Sequence, residues 1–439
     1  MKLRIFPGHG LAGVCKVPGD KSISHRAALL GAIAHGSTDI VNFLQGADCR
    51  STLGCLKALG VKIKESTEAV RVVGKGLGGL TEPLTVLDAG NSGTTIRLLL
   101  GILAGHDFFT VITGDDSLRR RPMARVIKPL KEMGAQIWGR ANDSKAPLAV
   151  KGTSELTSIT YTLPVASAQV KSAILLAGLY AQGTTQVTQP VPCRDHTERM
   201  LQAFGADVEV DGMTVRIKGG KDLHAQKVMV PGDISAASFL LVAGSVVPGS
   251  DILIRDVGIN PTRTGILEVL DMMGAKIDVY NERTWNGEPV ADLHVQPAGL
   301  KGIRIGGELI PRVIDEIPVI AVAASVAEGT TEISDAAELR VKETDRLKAI
   351  TCELQKMGVA IEEKPDGLVI RGTGRIEKAT VDSWGDHRMA MALAIAGLVA
   401  SGETIINDTA CIDVSFPDFQ ETLRGLGANL ENWSDDETI

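Results

Sequence analysis

The stretch ILEVLDMMGAKIDV, residues 266–279, joins apolar residues at helical spacing, a glycine, and alternating apolar and polar residues. Because glycine commonly ends a helix in the left-handed conformation, this order predicts a helix, a glycine cap and a strand. Similar stretches place their glycines at positions 60, 134, 205, 274, 358 and 427, between 69 and 84 residues apart. Such a unit is longer than the repeats of solenoid proteins, so we predict six copies, three in each of two domains.

A second repeat, the tetrapeptide VPGD, also indicates two domains. It occurs at residues 17–20 and 230–233 of a 439-residue chain, which is too long for one ordinary hydrophobic core. We interpret the two copies as equivalent points at which the chain passes between duplicated domains. The predicted domains are residues 1–18 with 229–439, and an inserted domain of residues 19–228, with crossovers near 14–19 and 228–233.

The composition is typical of a globular protein, with 44% apolar, 23% charged and 3% aromatic residues. The few aromatic residues and the net charge of −7 argue against nucleic acid as a partner, so any anion must be bound by a local cluster of cations. The N-terminus lacks the apolar core of a signal peptide, and the apolar run at 390–400 is too short to span a membrane. We therefore expect a cytoplasmic protein with no membrane partner.

Neither the cysteines nor the glycine-rich stretches predict a cofactor. The six cysteines lack the spacing of metal ligands, which favours a reduced protein without a metal or a disulfide. GKGLGG, residues 74–79, matches a dinucleotide-binding motif, but Pro83 follows it and no helix is predicted there. The chain also lacks a GxxxxGK[ST] phosphate-binding loop, so we expect no nucleotide cofactor.

Five predicted helices begin with polar or cationic residues and continue with apolar ones, at 21–36, 91–105, 167–178, 342–354 and 386–402. A helix start presents unpaired N–H groups and a partial positive charge, which makes it an anion site when cationic side chains join it. Ser22, Asn91 and Ser167 could instead be ordinary N-caps. The cations that favour anion binding, in one shared cleft, are Lys21, Arg26, Arg97, Lys171, Lys342, Arg346 and Arg388.

Three further segments add charged residues. DDSLRRRPM, residues 115–123, places three arginines before a proline, although such a run also fits a solvated loop. Glu343 lies between Lys342 and Arg346 in RVKETDR, where a surface salt-bridge network is the alternative interpretation. Asp315 lies one turn before a strongly apolar predicted helix. Carboxylates close to cations can take part in proton transfer.

These segments resemble the motifs of one enzyme family, the 5-enolpyruvylshikimate-3-phosphate (EPSP) synthases, also called 3-phosphoshikimate 1-carboxyvinyltransferases. The resemblance implies an α/β protein with the two-domain inside-out α/β barrel of the enolpyruvyl transferases, built from six βαβαββ repeats, three per domain. It also implies that the N-terminal strand returns to the second domain. The matching motifs follow the family's order over nearly the whole chain: PGDKSISHR (18–26), GNSGTTIR (90–97), RRPM (120–123), ASAQVKSA (166–173), RVKETDRL (340–347) and GDHRMAM (385–391).

The reaction implied by the resemblance transfers the enolpyruvyl group of phosphoenolpyruvate to the 5-hydroxyl of shikimate 3-phosphate and releases phosphate. This step belongs to the biosynthesis of chorismate and aromatic amino acids, and the family is the target of glyphosate. Both substrates are polyanions, so catalysis needs many donors that are fixed in advance. We expect a monomer that uses these two small molecules, without a cofactor or a metal.

The resemblance also assigns site residues by motif position. Asp315 is the implied base for the attacking hydroxyl, and Glu343 with Lys21 is the implied proton donor and acceptor at C3 of phosphoenolpyruvate. The implied ligands of shikimate 3-phosphate are Lys21, Ser22, Arg26, Ser167, Ala168, Gln169, Arg194, Asp315 and Lys342. The implied ligands of phosphoenolpyruvate are Lys21, Gly93 through its backbone, Arg121, Gln169, Arg346 and Arg388. ISAASF, which follows the second VPGD and has no cation, is interpreted as a packing segment.

The sequence departs from one branch of the family at two motifs. Val414, in IDVSFP, stands where that branch has a lysine, so one cation for phosphoenolpyruvate is absent or replaced. NSGTTIRL stands where that branch has NAGTAMRP, although Gly93 and Thr94 are retained. Both features resemble the branch that is often tolerant of glyphosate, and sensitivity to this herbicide stays open.

Two alternative functions are also consistent with the sequence. The sibling family that transfers enolpyruvate to UDP-N-acetylglucosamine has a reactive cysteine in the loop equivalent to RRRP, whereas residues 113–123 contain none. A non-catalytic protein that binds phosphorylated ligands could be built on the same repeats. Release of phosphate from the two substrates would distinguish an enzyme from such a binder.

Overall fold

The computed structural model describes residues 1–66 and 69–433. The chain forms two compact units. The terminal unit comprises Met1–Pro18, Gly232–Arg283 and Pro289–Ile439, and the inserted unit comprises Gly19–Pro231 and Thr284–Glu288. Across the described ranges, none of the helices has the length and apolar character needed to cross a membrane.

The strands are short and are spread over the whole chain. They are β1 (Lys2–Ile5), β2 (Ala12–Lys16), β3 (Ser37–Val41), β4 (Lys62–Glu65), β5 (Ala69–Val73), β6 (Leu87–Asp88), β7 (Phe109–Thr113), β8 (Gln136–Gly139), β9 (Lys145–Lys151), β10 (Thr160–Thr162), β11 (Thr184–Thr188), β12 (Asp207–Asp211), β13 (Thr214–Lys218), β14 (Lys227–Met229), β15 (Asp251–Gly258), β16 (Lys276–Trp285), β17 (Glu288–Gln296), β18 (Arg304–Ile305), β19 (Gly329–Ile333), β20 (Ala360–Lys364), β21 (Gly367–Gly372), β22 (Thr380–Asp382), β23 (Thr404–Asn407) and β24 (Leu430–Trp433).

The helices alternate with the strands, and short 3-10 helices lie at Gly307–Leu309, Ala337–Val341 and Thr409–Val414. The α-helices are α1 (Lys21–Ile33), α2 (Ala47–Ala58), α3 (Gly93–Leu103), α4 (Asp116–Arg120), α5 (Ala124–Glu132), α6 (Arg140–Asp143), α7 (Ala168–Gly178), α8 (His196–Ala203), α9 (Ile234–Val246), α10 (Gly265–Met272), α11 (Ile310–Val313), α12 (Ile317–Val326), α13 (Arg346–Lys356), α14 (His387–Leu398) and α15 (Phe419–Gly425).

Within the described residues, the strands form six four-stranded sheets of the same topology, three in each unit. In the sheet β6-β7-β9-β8, β6 runs parallel to β7, and β9 is antiparallel to both β7 and β8. A parallel pair needs a crossover connection, and here α3 provides it. α5 then connects β7 to β8, which gives the βαβαββ order. The other sheets are β14-β3-β5-β4, β10-β11-β13-β12, β16-β17-β15-β2, β18-β19-β21-β20 and β22-β23-β1-β24.

Each repeat contributes one inner helix and one outer helix. The inner helices are buried on nearly all sides and form the core of their unit: α1, α3 and α7 in the inserted unit, and α9, α12 and α14 in the terminal unit. A helix that is apolar around its whole circumference is stable only when neighbours cover it completely. The inner helices therefore lie inside, and each sheet leaves one face toward solvent.

The predicted glycine caps are confirmed at all six positions. Each glycine follows an outer helix, precedes a strand and has a positive φ: 83° at Gly60, 111° at Gly134, 91° at Gly205, 85° at Gly274, 75° at Gly358 and 99° at Gly427. A side chain at such a position would strain the backbone, which explains why glycine recurs in every copy.

Two strands belong to a repeat from which they are distant in sequence. β2 precedes the first VPGD yet runs parallel to β15, and β14 precedes the second VPGD yet runs parallel to β3. The backbone N–H of Asp20 donates to Pro231 at 2.8 Å, and that of Asp233 donates to Pro18 at 2.8 Å. Each VPGD thus joins a strand of one unit to the first inner helix of the other.

The N-terminal strand is the last strand of the sixth repeat. β1 pairs antiparallel with both β23 and β24, so residues near the two ends of the described chain lie in one sheet. This agrees with the expectation that the N-terminal strand returns to the second domain.

The structure corrects several predicted helix starts. Asp20 rather than Ser22 caps α1, and Ser92 rather than Asn91 caps α3, whereas Ser167 does cap α7. The first two helices each have two good cap residues close together, and the helix register selects one of them. The helix predicted from 342 begins at Arg346, because Asp345 accepts a hydrogen bond from the N–H of Lys348 at 3.1 Å.

Candidate active site

The predicted site residues lie in two sets, one in each compact unit. The inserted unit contains Lys21, Ser22, Arg26, Gly93, Arg121, Ser167, Ala168, Gln169 and Arg194. The terminal unit contains Asp315, Lys342, Glu343, Arg346 and Arg388.

In the inserted unit, most of these residues lie at the first turns of α1, α3 and α7. These are the inner helices of three equivalent repeats, so the fold gives their N-termini equivalent places. α3 and α7 pack closely at Gly101, where a Cβ atom would lie 2.3 Å from the carbonyl oxygen of Ala173. A larger residue at Gly101 would therefore separate the two helices.

Lys21, the first residue of α1, forms an ion pair with Asp48. Its Nζ lies 3.1 Å from Asp48 Oδ2, and both side chains are largely buried. Asp48 belongs to the first turn of α2, so the pair ties the start of α1 to the neighbouring outer helix. The pair restricts the position of the lysine ammonium before any ligand arrives.

Arg26, one turn further along α1, is buried and oriented by two hydroxyl groups. Its Nε donates to Thr197 Oγ1 at 2.6 Å, and its two terminal nitrogens donate to Ser172 Oγ at 2.8 Å and to the backbone oxygen of Ser22 at 3.0 Å. Burial lowers the pKa of Arg26 to about 10, nearby carboxylates oppose this, and the positive charge of Arg194 adds to it. Arg26 and Arg194 are therefore neighbours, and their positive charges favour an anion.

Gln169, in the first turn of α7, connects that helix to α3. Its Oε1 accepts a hydrogen bond from Arg97 at 2.7 Å, and its Nε2 donates to Thr94 Oγ1 at 2.9 Å. Ser167 caps the same helix and Ala168 is its first residue. The two helix N-termini are thus joined by side chains as well as by packing.

Arg121 is the buried arginine of the RRR run. Its terminal nitrogens donate to the backbone oxygen of Asn91 at 3.2 Å and to Asn91 Oδ1 at 2.5 Å. The preceding residues form the short helix α4, and Arg119 pairs with exposed Asp116. The alternative of a fully solvated loop is therefore wrong for Arg121, which lies 3.3 Å from the place of a Cβ on Gly93.

Lys171, a predicted anion-binding cation of α7, has a different role in the structure. Its Nζ lies 2.6 Å from Glu198 Oε1, and both side chains are almost fully buried. Burial lowers the pKa of Lys171, but the charges of Glu198, Cys193 and Asp195 and the hydrogen bond to Glu198 together outweigh burial and raise this pKa above its ordinary value. The lysine is occupied in an internal ion pair that links α7 to α8.

In the terminal unit, Arg346 is the centre of an ion cluster. It is 1% exposed, and it contacts Asp386, Glu343 and Asp315 at 2.7, 2.7 and 3.3 Å. Burial lowers the pKa of Arg346, but the charges of Asp386, Glu343 and Asp315 outweigh burial and raise it. Because Glu343 contacts a buried arginine, the alternative of a surface salt-bridge network does not describe it.

Asp315 contacts three cations from two segments of the terminal unit, RVKETDRL and GDHRMAM. Its Oδ1 lies 3.4 Å from Lys342 Nζ and 3.3 Å from Arg346, and its Oδ2 lies 3.9 Å from Arg388. Arg388 also donates to the backbone oxygen of Asp315 at 3.2 Å. The carboxylate lies just before α12, as predicted from the apolar sequence that follows it. The cluster can offer both cations for an anion and carboxylates for proton transfer.

The residues that orient the site are not among those predicted from the sequence. Asp48, Thr197 and Asp386 each hold one of the cations described above but lie outside the predicted residues. Asp386 had a local signal, since an aspartate directly before an apolar helix is a good N-cap, and it does cap α14. Thr197 and Asp48 have no such signal, because they meet their partners only through the packing of helices.

The chain is similar to known proteins over nearly its whole length. The EPSP synthase (3-phosphoshikimate 1-carboxyvinyltransferase) family model matches residues 5–423. The chain is 59% identical over 420 residues to the 3-phosphoshikimate 1-carboxyvinyltransferase of Synechocystis, across 95% of this chain and 94% of that protein. It is 56% identical over 425 residues to that of Desulforamulus reducens, across 97% and 99%.

Solved structures agree at the level of the fold. The EPSP synthase of Acinetobacter baumannii superposes with a TM-score of 0.89 at 44% identity, across 98% of this chain and 99% of that one. The enolpyruvyl transferase NikO of Streptomyces tendae, at 20% identity and a TM-score of 0.77, shares the fold. The predicted two-domain inside-out α/β fold is confirmed, and this chain belongs to the EPSP synthase family.

Proposed function

We propose that the protein transfers the enolpyruvyl group of phosphoenolpyruvate to the 5-hydroxyl of shikimate 3-phosphate and releases phosphate. The match to the EPSP synthase family over residues 5–423 carries this proposal. Two sets of preoriented cations support it, because both substrates are polyanions. The reaction is a step in the biosynthesis of chorismate and aromatic amino acids.

The chemistry requires one proton to be gained and later lost at C3 of phosphoenolpyruvate. C3 takes a proton while the 5-hydroxyl oxygen, after losing its own proton to a base, forms a bond to C2. The tetrahedral intermediate then loses phosphate from C2, and C3 gives up a proton as the enol ether forms. Groups that stabilise the developing charge are usually the largest contribution to such a reaction.

Shikimate 3-phosphate is proposed to bind mainly to residues of the inserted unit. The orientation of Arg26 by Thr197 and Ser172 supports a role in binding its phosphate, since a preoriented guanidinium loses little freedom on binding. The full proposed set is Lys21, Ser22, Arg26, Ser167, Ala168, Gln169, Arg194, Asp315 and Lys342.

Phosphoenolpyruvate is proposed to bind to Lys21, the backbone of Gly93, Arg121, Gln169, Arg346 and Arg388. The proximity of Gly93 to Arg121 supports this set for the inserted unit. In the terminal unit, the contact of both Arg346 and Arg388 with Asp315 supports it. Arginine is well suited to carboxylate and phosphate groups, because its planar donors bind two oxygens at once.

Asp315 is the proposed base for the 5-hydroxyl, and Glu343 with Lys21 is the proposed proton donor and acceptor at C3. The three cations around Asp315 support its role, because they balance the charge of a carboxylate in this position. Glu343 is partly exposed while one of its oxygens contacts Arg346, so the group is both oriented and accessible.

The proposal includes a cytosolic, monomeric protein. Six cysteines that form no disulfide among the described residues support a reducing compartment. A separate hydrophobic core in each unit supports a chain that folds without a partner.

An assay of phosphate release tests the proposed reaction. Purified protein with both substrates should release one phosphate for each molecule of enolpyruvyl product identified by mass spectrometry. Omission of either substrate should abolish release. Binding without release would favour a non-catalytic protein, and activity with UDP-N-acetylglucosamine instead would favour the sibling family.

A further inference from the structure

The second VPGD segment contributes a side chain to the neighbourhood of Asp315. Ser235 is the second residue after this VPGD, as Ser22 is after the first. Its backbone N–H donates to Asp233 Oδ1 at 2.8 Å, and its hydroxyl group donates a hydrogen bond to Glu316 Oε1. The interpretation of ISAASF as a packing segment is therefore incomplete.

Arg263 completes this group of buried residues. One of its terminal nitrogens donates to Ser235 Oγ at 2.7 Å and to Asp233 Oδ1 at 3.0 Å. Arg263, Ser235 and Glu316 are all at most 4% exposed. The Ser235 hydroxyl thus accepts a hydrogen bond from Arg263 and donates one to Glu316. Its single hydrogen atom therefore points to the carboxyl group of Glu316.

Glu316 is adjacent in sequence to Asp315 and connects the buried group to Arg388. Its Oε1 lies 3.8 Å from a terminal nitrogen of Arg388, and that nitrogen donates to the backbone oxygen of Asp315. Burial raises the pKa of Glu316, Asp315 adds to this rise, and Arg388 and Arg263 oppose it. A buried carboxyl group of this kind needs firm partners, and Ser235 and Arg263 supply them.

We propose that Ser235 and Glu316 are positioning residues that hold the Arg388 guanidinium in place for phosphoenolpyruvate. The inference rests on the proposed function, which assigns Arg388 to that substrate. Ser235 fixes the carboxyl group of Glu316, and this group with the backbone oxygen of Asp315 sets the direction of the guanidinium. The first inner helix of each unit then contributes to substrate binding. α1 does so through its own cations, and α9 does so through Ser235, which fixes the carboxyl group of Glu316.

The alternative is that the group only stabilises the fold. A purely structural role would lower the stability of the protein, or the turnover of all substrates, without affecting one substrate more than the other. A positioning role predicts a change confined mainly to phosphoenolpyruvate, since Arg388 is the group that moves. The two roles therefore differ in the Michaelis constants of the two substrates.

The test compares Ser235→Ala with Ser245→Ala in the full-length protein. Ser245 is also buried in α9, but its hydroxyl donates to the backbone oxygen of Leu241 at 2.8 Å, away from Glu316. The KM for phosphoenolpyruvate should rise on the order of tenfold in Ser235→Ala, the lower end of the effect of one hydrogen bond to a charged group, because Ser235 acts on Arg388 through Glu316. The KM for shikimate 3-phosphate should stay within about twofold of that in Ser245→Ala.

A second variant, Glu316→Gln, keeps the shape of the side chain but removes its negative charge. If Glu316 only neutralised Arg388, its removal would strengthen the attraction for an anion and lower the KM for phosphoenolpyruvate. Positioning predicts a higher KM instead. An unchanged or lower KM for phosphoenolpyruvate in Glu316→Gln would overturn the inference, and so would equal changes in the KM of both substrates in Ser235→Ala. Turnover by the wild-type protein would still support the proposed function in either case. A wild-type protein that releases no phosphate would overturn both.

Discussion

Arg346 and Asp386 form a buried ion pair in which Arg346 Nε donates to Asp386 Oδ2 at 2.7 Å. The same carboxylate caps α14 by accepting from the N–H of Arg388 at 2.9 Å. One aspartate therefore orients one proposed ligand of phosphoenolpyruvate through its side chain and a second through its backbone. Asp386 itself is fully buried, so these contacts are its main environment.

Asp386→Asn should weaken both stability and the binding of phosphoenolpyruvate. Removing one partner of a buried ion pair costs roughly 3–5 kcal/mol, and the remaining contacts of Arg346 with Glu343 and Asp315 favour the lower end. We expect the free energy of unfolding to fall by about 3 kcal/mol and the KM for phosphoenolpyruvate to rise on the order of tenfold. Chemical unfolding and steady-state kinetics measure these two quantities. Asp271→Asn, at an exposed carboxylate of the same unit, should change neither.

Gly93→Ala should affect phosphoenolpyruvate more than shikimate 3-phosphate. The added Cβ would lie 2.7 Å from a terminal nitrogen of Arg97 and 3.3 Å from one of Arg121, so at least the first guanidinium must move. Arg97 is held by Gln169 at 2.7 Å and by the backbone oxygen of Pro122 at 3.1 Å, which makes the shift costly. We expect the KM for phosphoenolpyruvate to rise on the order of tenfold.

Gly54→Ala is the matched control for this substitution. Gly54 lies inside α2, and a Cβ there would meet no atom within 4 Å. This variant should keep wild-type kinetics and gain roughly 0.5–1 kcal/mol of stability, because alanine favours a helix over glycine. Equal kinetic effects at both glycines would show that Gly93 is not near the bound substrate.

Some features of the fold and site were predictable from the sequence because their signals are local. The six capping glycines are one example, since no other residue adopts their backbone conformation at so little cost. The position of Asp315 before a buried helix is another, because the apolar run that follows it is unbroken. These signals extend over only a few residues, so they do not depend on how distant segments pack.

Other features depend on contacts between distant segments and had no such signal. Ser235 meets Glu316 across 81 residues of sequence, and Lys21 meets Asp48 across 27. The choice of Asp20 rather than Ser22 as the cap of α1 is local, yet both residue types are equally good caps. Lys171 was predicted to bind an anion, but the approach of α8 brings Glu198 to it instead.

Lys21→Met should remove nearly all turnover while leaving the protein folded. Methionine keeps the unbranched side chain but loses the charge, and Lys21 is proposed to contact both substrates. The loss in kcat should be on the order of 10²-fold or more, as for other preorganised electrostatic groups. Lys57→Met removes a lysine that pairs with Glu65 at the surface and should keep normal kinetics. Wild-type kinetics in Lys21→Met would show that the site is assigned to the wrong residues.

The stability of the protein should fall in mild acid because of His25. This histidine is buried in α1, and its Nδ1 lies 2.7 Å from Thr52 Oγ1. Burial lowers its pKa well below 6.5, and the charges of Lys21 and Arg26 add to the effect. The unfolded chain therefore takes up a proton near pH 6.5, while the folded protein does not.

The sign of the pH effect follows from this difference. Where the unfolded state binds more protons, the free energy of unfolding rises with pH, so the contribution of His25 is fully present above about pH 6.5. Below that pH it declines by about 1.4 kcal/mol for each pH unit, until the folded protein is protonated as well. Chemical unfolding at several pH values between about 5 and 7 measures this slope.

His25→Asn should make the slope shallower below about pH 6.5, because asparagine can keep a hydrogen bond to Thr52 and does not titrate there. Some slope should remain, since burial also lowers the pKa of His106. If the curves of wild type and His25→Asn run parallel through this range, His25 is protonated equally in both states. In that case α1 would not be packed around a neutral imidazole as described above. The described positions of Lys21 and Arg26 on the same helix would then be in doubt as well.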